Sequence, residues 1–199
     1  MHFHNILLIV AILTMFIAGI NAVNECDIKK IIALSTLRQL GVITASLAIA
    51  QPYLTLFHLL THALFKALLF VCAGGLIYFF SHTQDIRQFG NTSISLPLTS
   101  SCILIANLAL IGTPFLAGFY SKDLILEFCL FSPFNLISTS LFMAATLLTA
   151  IYSTRFLIYT SLSTPISFPF SFTHDTKKNL NTPITALTIG AIIRGAALN

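Results

Sequence analysis

Apolar positions in this chain come in long runs rather than in amphipathic stripes. Runs long enough to cross a hydrocarbon core, about 20 residues each, fall at 3–23, 29–50, 53–80, 95–130 and 134–161. A sixth starts at Pro183 and continues to Asn199 with Arg194 inside it. The only long polar connection, 162–182, is rich in Ser, Thr and Pro and carries His174, Asp175, Lys177 and Lys178. This pattern predicts an all-α, polytopic transmembrane helix bundle: a five-helix unit over 1–161, a polar loop over 162–182 and the start of a further membrane helix at 183–199. The fourth run is thirty-six residues long, more than tilt alone accommodates. In its middle, IGTPFLAGFYSKD, Pro114 lacks an amide proton while Gly112 and Gly118 ease non-helical backbone, so a broken helix is expected. Such breaks are tolerated at membrane depth where protein or water covers the freed backbone groups, and they mark ion sites in transporters.

Polar positions inside the runs are few, which makes their spacing informative. The third run contains FHLLTHALFKALLF, Phe57 to Phe70, with His58, His62 and Lys66 at four-residue intervals. On a helix the three project from nearly one face, each about 6 Å along the axis from the last. Ionisable groups within a span normally face a protein interior or a hydrated cavity, so an ion or proton pathway is the default reading. Burial disfavours the charged form of a lysine and histidine titrates near neutral pH, so a ladder of this kind can pass protons. Either histidine alone would more simply be a neutral group hydrogen-bonding between helices.

Lys122 follows the break directly. It is a second station if the break lies deep, or an interfacial lysine beside Asp123 if the break is shallow. Glu127, one turn beyond Asp123, either joins Lys122 or belongs to an interfacial salt bridge. Arg38, beside Ser35, Thr36 and Gln39 in the second run, is a secondary candidate for which helix-to-helix hydrogen bonding is the simpler role. Arg155 is expected to reach the interface with its stem in apolar surroundings.

Composition agrees with the runs: 56% hydrophobic and 8% charged residues, with a mean hydropathy of +0.91, exclude an ordinary soluble domain. The net charge of +4 comes from scattered basic residues, with no run of the kind that binds nucleic acid. Lys29, Lys30, Arg87, Lys177 and Lys178 fall after the first, third and fifth runs, whereas the turns at Gln51-Pro52 and Ser132-Pro133 are uncharged. That asymmetry puts the first set on the cytoplasmic or matrix side and the N-terminus outside. Asn24 or Asp27 is expected to cap the second helix. Met1 to Val23 lacks a cationic leader region and a convincing cleavage site, so it reads as a retained helix. Cys26, Cys72, Cys102 and Cys129 show no metal or redox spacing and read as small buried hydrophobes. No nucleotide-binding glycine loop, metal cluster or nucleophile elbow occurs in the sequence.

NECDIKKIIALSTLRQLG, FHLLTHALFKALLFVCAGG, HTQDIRQFG and GTPFLAGFYSKD, in this order and spacing, closely resemble the antiporter-like subunits of the proton-pumping NADH:ubiquinone oxidoreductase, respiratory complex I, of mitochondria. Lys122 favours the chain 5 branch over the chain 4 branch, which looks to carry a glutamate at that station. The resemblance implies the second of two inverted five-helix repeats, plus the beginning of the next helix. Lys66 then resembles the central-axis lysine, with His62 and His58 as partners in a hydrated path, and Lys122 the terminal lysine on the broken helix. It further implies a multi-pass protein of the mitochondrial inner membrane, partnered by other complex I membrane subunits including an antiporter-like neighbour. No cofactor is expected in this chain; NAD, FMN, iron-sulfur clusters and ubiquinone would be bound by other subunits. The first repeat's glutamate and lysine pair and the long lateral helix have no counterpart here, so the chain is not expected to pump protons alone. Alternatives are a stand-alone cation/proton antiporter subunit, in a bacterial plasma membrane for instance, and a non-pumping structural fragment.

Overall fold

A computed structural model describes residues 2–80, 82–131, 136–164 and 178–197. Its helices are α1 (His2–Asn24), α2 (Ile28–Ala48), α3 (Pro52–Phe79), a single turn α4 (Thr92–Ser95), α5 (Pro97–Ile111), α6 (Leu124–Phe131), α7 (Leu136–Leu157) and α8 (Lys178–Ala197). Two π-helical segments, Phe119–Asp123 and Ile158–Leu162, precede α6 and extend α7. Four segments are long and apolar enough to cross a membrane: Phe3–Asn24, Ile28–Ala48, Pro52–Phe79 and Ile137–Leu162. The fourth apolar run is indeed split, into α5 and α6. The last helix differs from expectation: it begins at Lys178, five residues before Pro183, which lies within it. His174, Asp175, Lys177, most of the 162–182 loop, the Ser132-Pro133 turn and the side chains of Lys178 and Arg194 lie outside the described residues.

Helix α1 lies along α2 through small residues that let the two backbones approach. Ala11, Ala18 and Ala22 are buried on α1, and Ala45 and Ala48 on α2; at Gly41 a Cβ would strike the Met15 side chain. One apolar core joins α2, α3, α5 and α7 around Phe65, Leu68, Leu76 and Leu110, and a second joins α1, α2, α6 and α7 around Met15, Val42 and Phe142.

Connections after the first, third and fifth runs meet at one end of the bundle, as a shared membrane side requires. The amide of Ile28 donates to the Gln84 carbonyl and that of Ile86 to the Cys26 carbonyl, both at 2.9 Å. Thus the first free amide of α2 is satisfied by backbone. Asp27 holds the cap position, but its carboxylate makes no cap bond; it pairs instead with Lys30 at 2.8 Å. Cys26 also departs from expectation. While Cys72, Cys102 and Cys129 are buried, Cys26 is half-buried, and its sulfur accepts from Arg87 Nη2 at 2.6 Å and Arg155 Nη2 at 3.4 Å. Arg155 donates as well to the Val23 carbonyl. The π turn that ends α7 frees the Thr160 carbonyl, which accepts from Thr92 at 2.8 Å and so ties α4 to α7.

Candidate functional site

The break in the fourth run is made by two glycines with different jobs. Gly112 terminates α5 in the left-handed region, φ +98°, where a side chain would be strained. Its amide and that of Thr113 both reach the Leu108 carbonyl, at 3.1 and 3.2 Å, a helix-ending pattern that consumes one orphan acceptor. The chain passes Pro114 and Phe115, and Gly118 then runs so close to α5 that a Cβ there would meet the Ala109 carbonyl oxygen. The helix resumes with a wide π turn at Phe119–Asp123, the kind of local widening often found at functional sites.

That turn brings Ser121 and Lys122, adjacent in sequence, both into the interior. Lys122 is 4% exposed. Its Nζ donates to the Ile111 carbonyl at 3.0 Å, the Leu110 carbonyl at 3.5 Å and Thr149 Oγ1 of α7 at 3.2 Å. The lysine therefore serves the negative end of α5, where carbonyls lack helical partners. Of the two readings the sequence left open, the buried one fits. Glu127 does not join it: the carboxylate residue is exposed, and the ion pairs among the described residues are those of Lys30 with Glu25 and Asp27.

Ser121 links the broken helix to the histidine ladder of α3. His58, 1% exposed, places Nδ1 3.0 Å from Ser121 Oγ and Nε2 3.3 Å from Gln39 Oε1 of α2. Thr61, one turn on, donates to Ser121 Oγ at 3.2 Å. The His58 and His62 rings stack at 6.2 Å between centroids, and His62 meets the edge of Phe65 at 5.4 Å. His62 Nε2 is buried without a hydrogen-bond partner. Lys66 is buried too and donates to Ser35 Oγ of α2, whose own hydrogen goes to the Ile32 carbonyl at 2.7 Å. The three ladder residues thus run inside the bundle from Ser121 at one end to Ser35 at the other.

Arg38 bonds between helices, donating through Nη2 to the Ala145 carbonyl of α7. The guanidinium is fully buried, and its Nε and Nη1 have no partner. Sequence reading missed the groups that hold the ladder in place: Thr61, Ser121 and Thr149, and the specific roles of Ser35 and Gln39. Thr61 had a signal, lying three residues from His58 and so on its face. Ser121 and Thr149 had none, because only the break and the packing of α7 bring them to the site.

The sequence matches, over residues 1–151, the family described as NADH:quinone oxidoreductase/Mrp antiporter, transmembrane. It is 46% identical to NADH-ubiquinone oxidoreductase chain 5 of Lumbricus terrestris over 98% of this chain and 34% of that one. To the same-named protein of Aedes aegypti it is 51% identical over 97% of this chain and 33% of that one. The chain spans about a third of the length of these curated relatives. In structure it superposes on a chain of the membrane-bound sulfane sulfur reductase, an archaeal respiratory membrane complex, with a TM-score of 0.88, 27% identity and coverage of 98% of this chain and 32% of that one. It also shares the fold of a chain of the Mrp complex from Dietzia sp. DQ12-45-1b: TM-score 0.86, 18% identity, coverage 98% and 44%.

Proposed function

Because the chain belongs to the NADH:quinone oxidoreductase/Mrp antiporter transmembrane family, we propose that it forms a proton half-channel within the membrane arm of respiratory complex I. In this reading Lys66, His62 and His58 are the inner stations, and Lys122 on the broken helix is the terminal one. The observation that carries it is the line of polar groups that begins at Ser35, which accepts from Lys66, follows one face of α3 past His62 to His58, and ends at Ser121, the residue next to Lys122. Among the described residues no carboxylate forms a salt bridge with Lys66 or Lys122, and both donate to neutral oxygens, Ser35 for one and two carbonyls and Thr149 for the other, an arrangement in which each is able to hand on its proton. Histidine accepts at one ring nitrogen and donates at the other, which suits it to pass a proton onward without moving far.

The chain's work is transport, with NAD, FMN, iron-sulfur clusters and ubiquinone held by other subunits of the assembly. Its partners are those subunits, an antiporter-like neighbour among them, and the lipid of the mitochondrial inner membrane. The test is Lys66→Met in the full assembly. We expect coupled turnover and the ratio of protons moved to electrons passed to fall sharply, by about a hundredfold in rate if Lys66 is a positioned proton-transfer group. Wild-type rate and ratio in that variant would overturn the reading.

A further inference from the structure

Arg38 is a buried charge that lies outside the histidine ladder. Three helices close around it: it sits on α2, its Nη2 donates to the Ala145 carbonyl of α7, and a Cβ at Gly19 of α1 would stand 3.7 Å from its Nε. Nε and Nη1 have no hydrogen-bond partner, and among the described residues no carboxylate forms a salt bridge with the guanidinium. A tie between two helices needs one donor, which a neutral side chain can supply. Five donors and a charge that is not given up in proteins exceed what that tie requires, and burying them is costly.

The fold gives that charge something to act on. Ser35, which accepts from Lys66, lies three residues before Arg38 on α2, where side chains are neighbours about 5–6 Å apart at Cβ. On α7 the Ala145 carbonyl points toward the residue four positions on, and that residue is Thr149, which accepts from Lys122 Nζ at 3.2 Å. The guanidinium thus stands one helical turn from an acceptor of each lysine, and its charge reaches both ammonium groups. The other titratable or charged groups around the two lysines and Arg38 are His58 and His62 of α3, Asp123 of the broken helix and Tyr152 of α7. Glu127 of α6 is exposed, α1 and α5 contain no Asp, Glu, Lys or Arg, and the described side chains of α8 are uncharged.

We propose that Arg38 is a positioning residue of the proton path that acts through its permanent charge: held beside acceptors of Lys66 and of Lys122, it repels a positive charge on either amine and so speeds release of the proton that each has taken up. The proposal rests on the proton-path reading above. Arg38 itself neither gains nor loses a proton. Each release takes one proton from an ammonium and leaves a neutral amine, with no electrons moved. The charge is retained although it weakens the fold, the kind of exchange of stability for activity that functional positions show.

Arg38→Gln and Arg38→Met in the full membrane complex separate charge from tie, since glutamine still offers a donor to the Ala145 carbonyl and methionine offers none. We expect the same result in both, measured per assembled complex. Coupled turnover should be about tenfold slower at neutral pH, and the pH profile of proton translocation should move upward by about one to two units, as one charge at roughly 8 Å gives at an effective dielectric constant of about 20. A helix tie alone would leave glutamine near wild type, impair methionine, and keep one pH profile for all. That outcome, or a wild-type profile in both variants, overturns the proposal. Lys66→Met in the same preparation tells the two readings apart: if it stops translocation while neither Arg38 variant moves the profile, the path stands and the role of Arg38 falls. If it leaves translocation at the wild-type rate, both fall.

Discussion

Arg38 is the residue at which sequence and physics are most at odds. A guanidinium with five donors lies fully buried between α2 and α7, satisfied in the fold only through its bond to the Ala145 carbonyl. Removing a charge from water is repaid only by good partners, and apolar residues of similar volume in such places are often neutral or more stabilising by about 1–4 kcal/mol. Arg38→Met should therefore raise the thermal unfolding temperature of the detergent-solubilised protein, and a lower temperature would show that the guanidinium is better partnered than its geometry suggests. Lys122 differs from it in having a neutral acceptor for each of its three donors, two carbonyls and a threonine, whereas Lys66 donates to one, the Ser35 oxygen. The spacing of His58, His62 and Lys66 was legible because one helix carries all three. Their acceptors were not, since Ser35, Gln39 and Thr149 reach the site from other helices and nothing in a single run of sequence encodes which helices meet.

Among the elements, the broken helix shows how far local chemistry alone can be read. Gly112, Pro114 and Gly118 announce the interruption, and α5 ends at Ile111 as that chemistry requires. What they do not announce is why Gly118 must be glycine. Its reason is the backbone of α5 passing against it, with the Ala109 carbonyl where a Cβ would stand. Gly118→Ala should thus destabilise by about 1–3 kcal/mol, as overpacking in a close-packed interior does, and should move Lys122 away from Thr149. Thermal unfolding together with the translocation rate checks this; an unchanged rate would mean that the two halves of the broken helix adjust without disturbing the lysine. Pro183 illustrates the opposite error. Proline suits the first turn of a helix, so it was a natural place to begin α8, yet the helix forms from Lys178 and tolerates the proline within it at the loss of one amide bond.

At the scale of the whole molecule, the bundle is tied together at the end where Cys26, Arg87 and Arg155 meet. Asp27 belongs to the same junction, and its bond to Lys30 holds its carboxyl below the ordinary 3.8. With the folded value below the unfolded one, the stabilisation is complete above the unfolded value and disappears as pH falls through the folded one. Protection factors of the Ile28 and Ile86 amides, which divide out the intrinsic pH dependence of exchange, should accordingly fall as the medium is acidified below the ordinary carboxylate range, by a small factor because the pair is exposed. Equal protection across that range would mean that the backbone bonds alone hold the junction.

The π turn at Phe119–Asp123 carries a last consequence, one of counting. An α-helix advances about 100° per residue, and the wide turn resets that phase just before α6. Deleting one residue there would leave the hydropathy profile, helix content and charge of the chain nearly untouched. It would nevertheless rotate whatever precedes the deletion by about a quarter of a turn relative to α6, so that Ser121 and Lys122 could no longer both face inward. A chain altered in this way would insert and fold as before, and would look intact to every measure of composition, while Lys122 faced the wrong way.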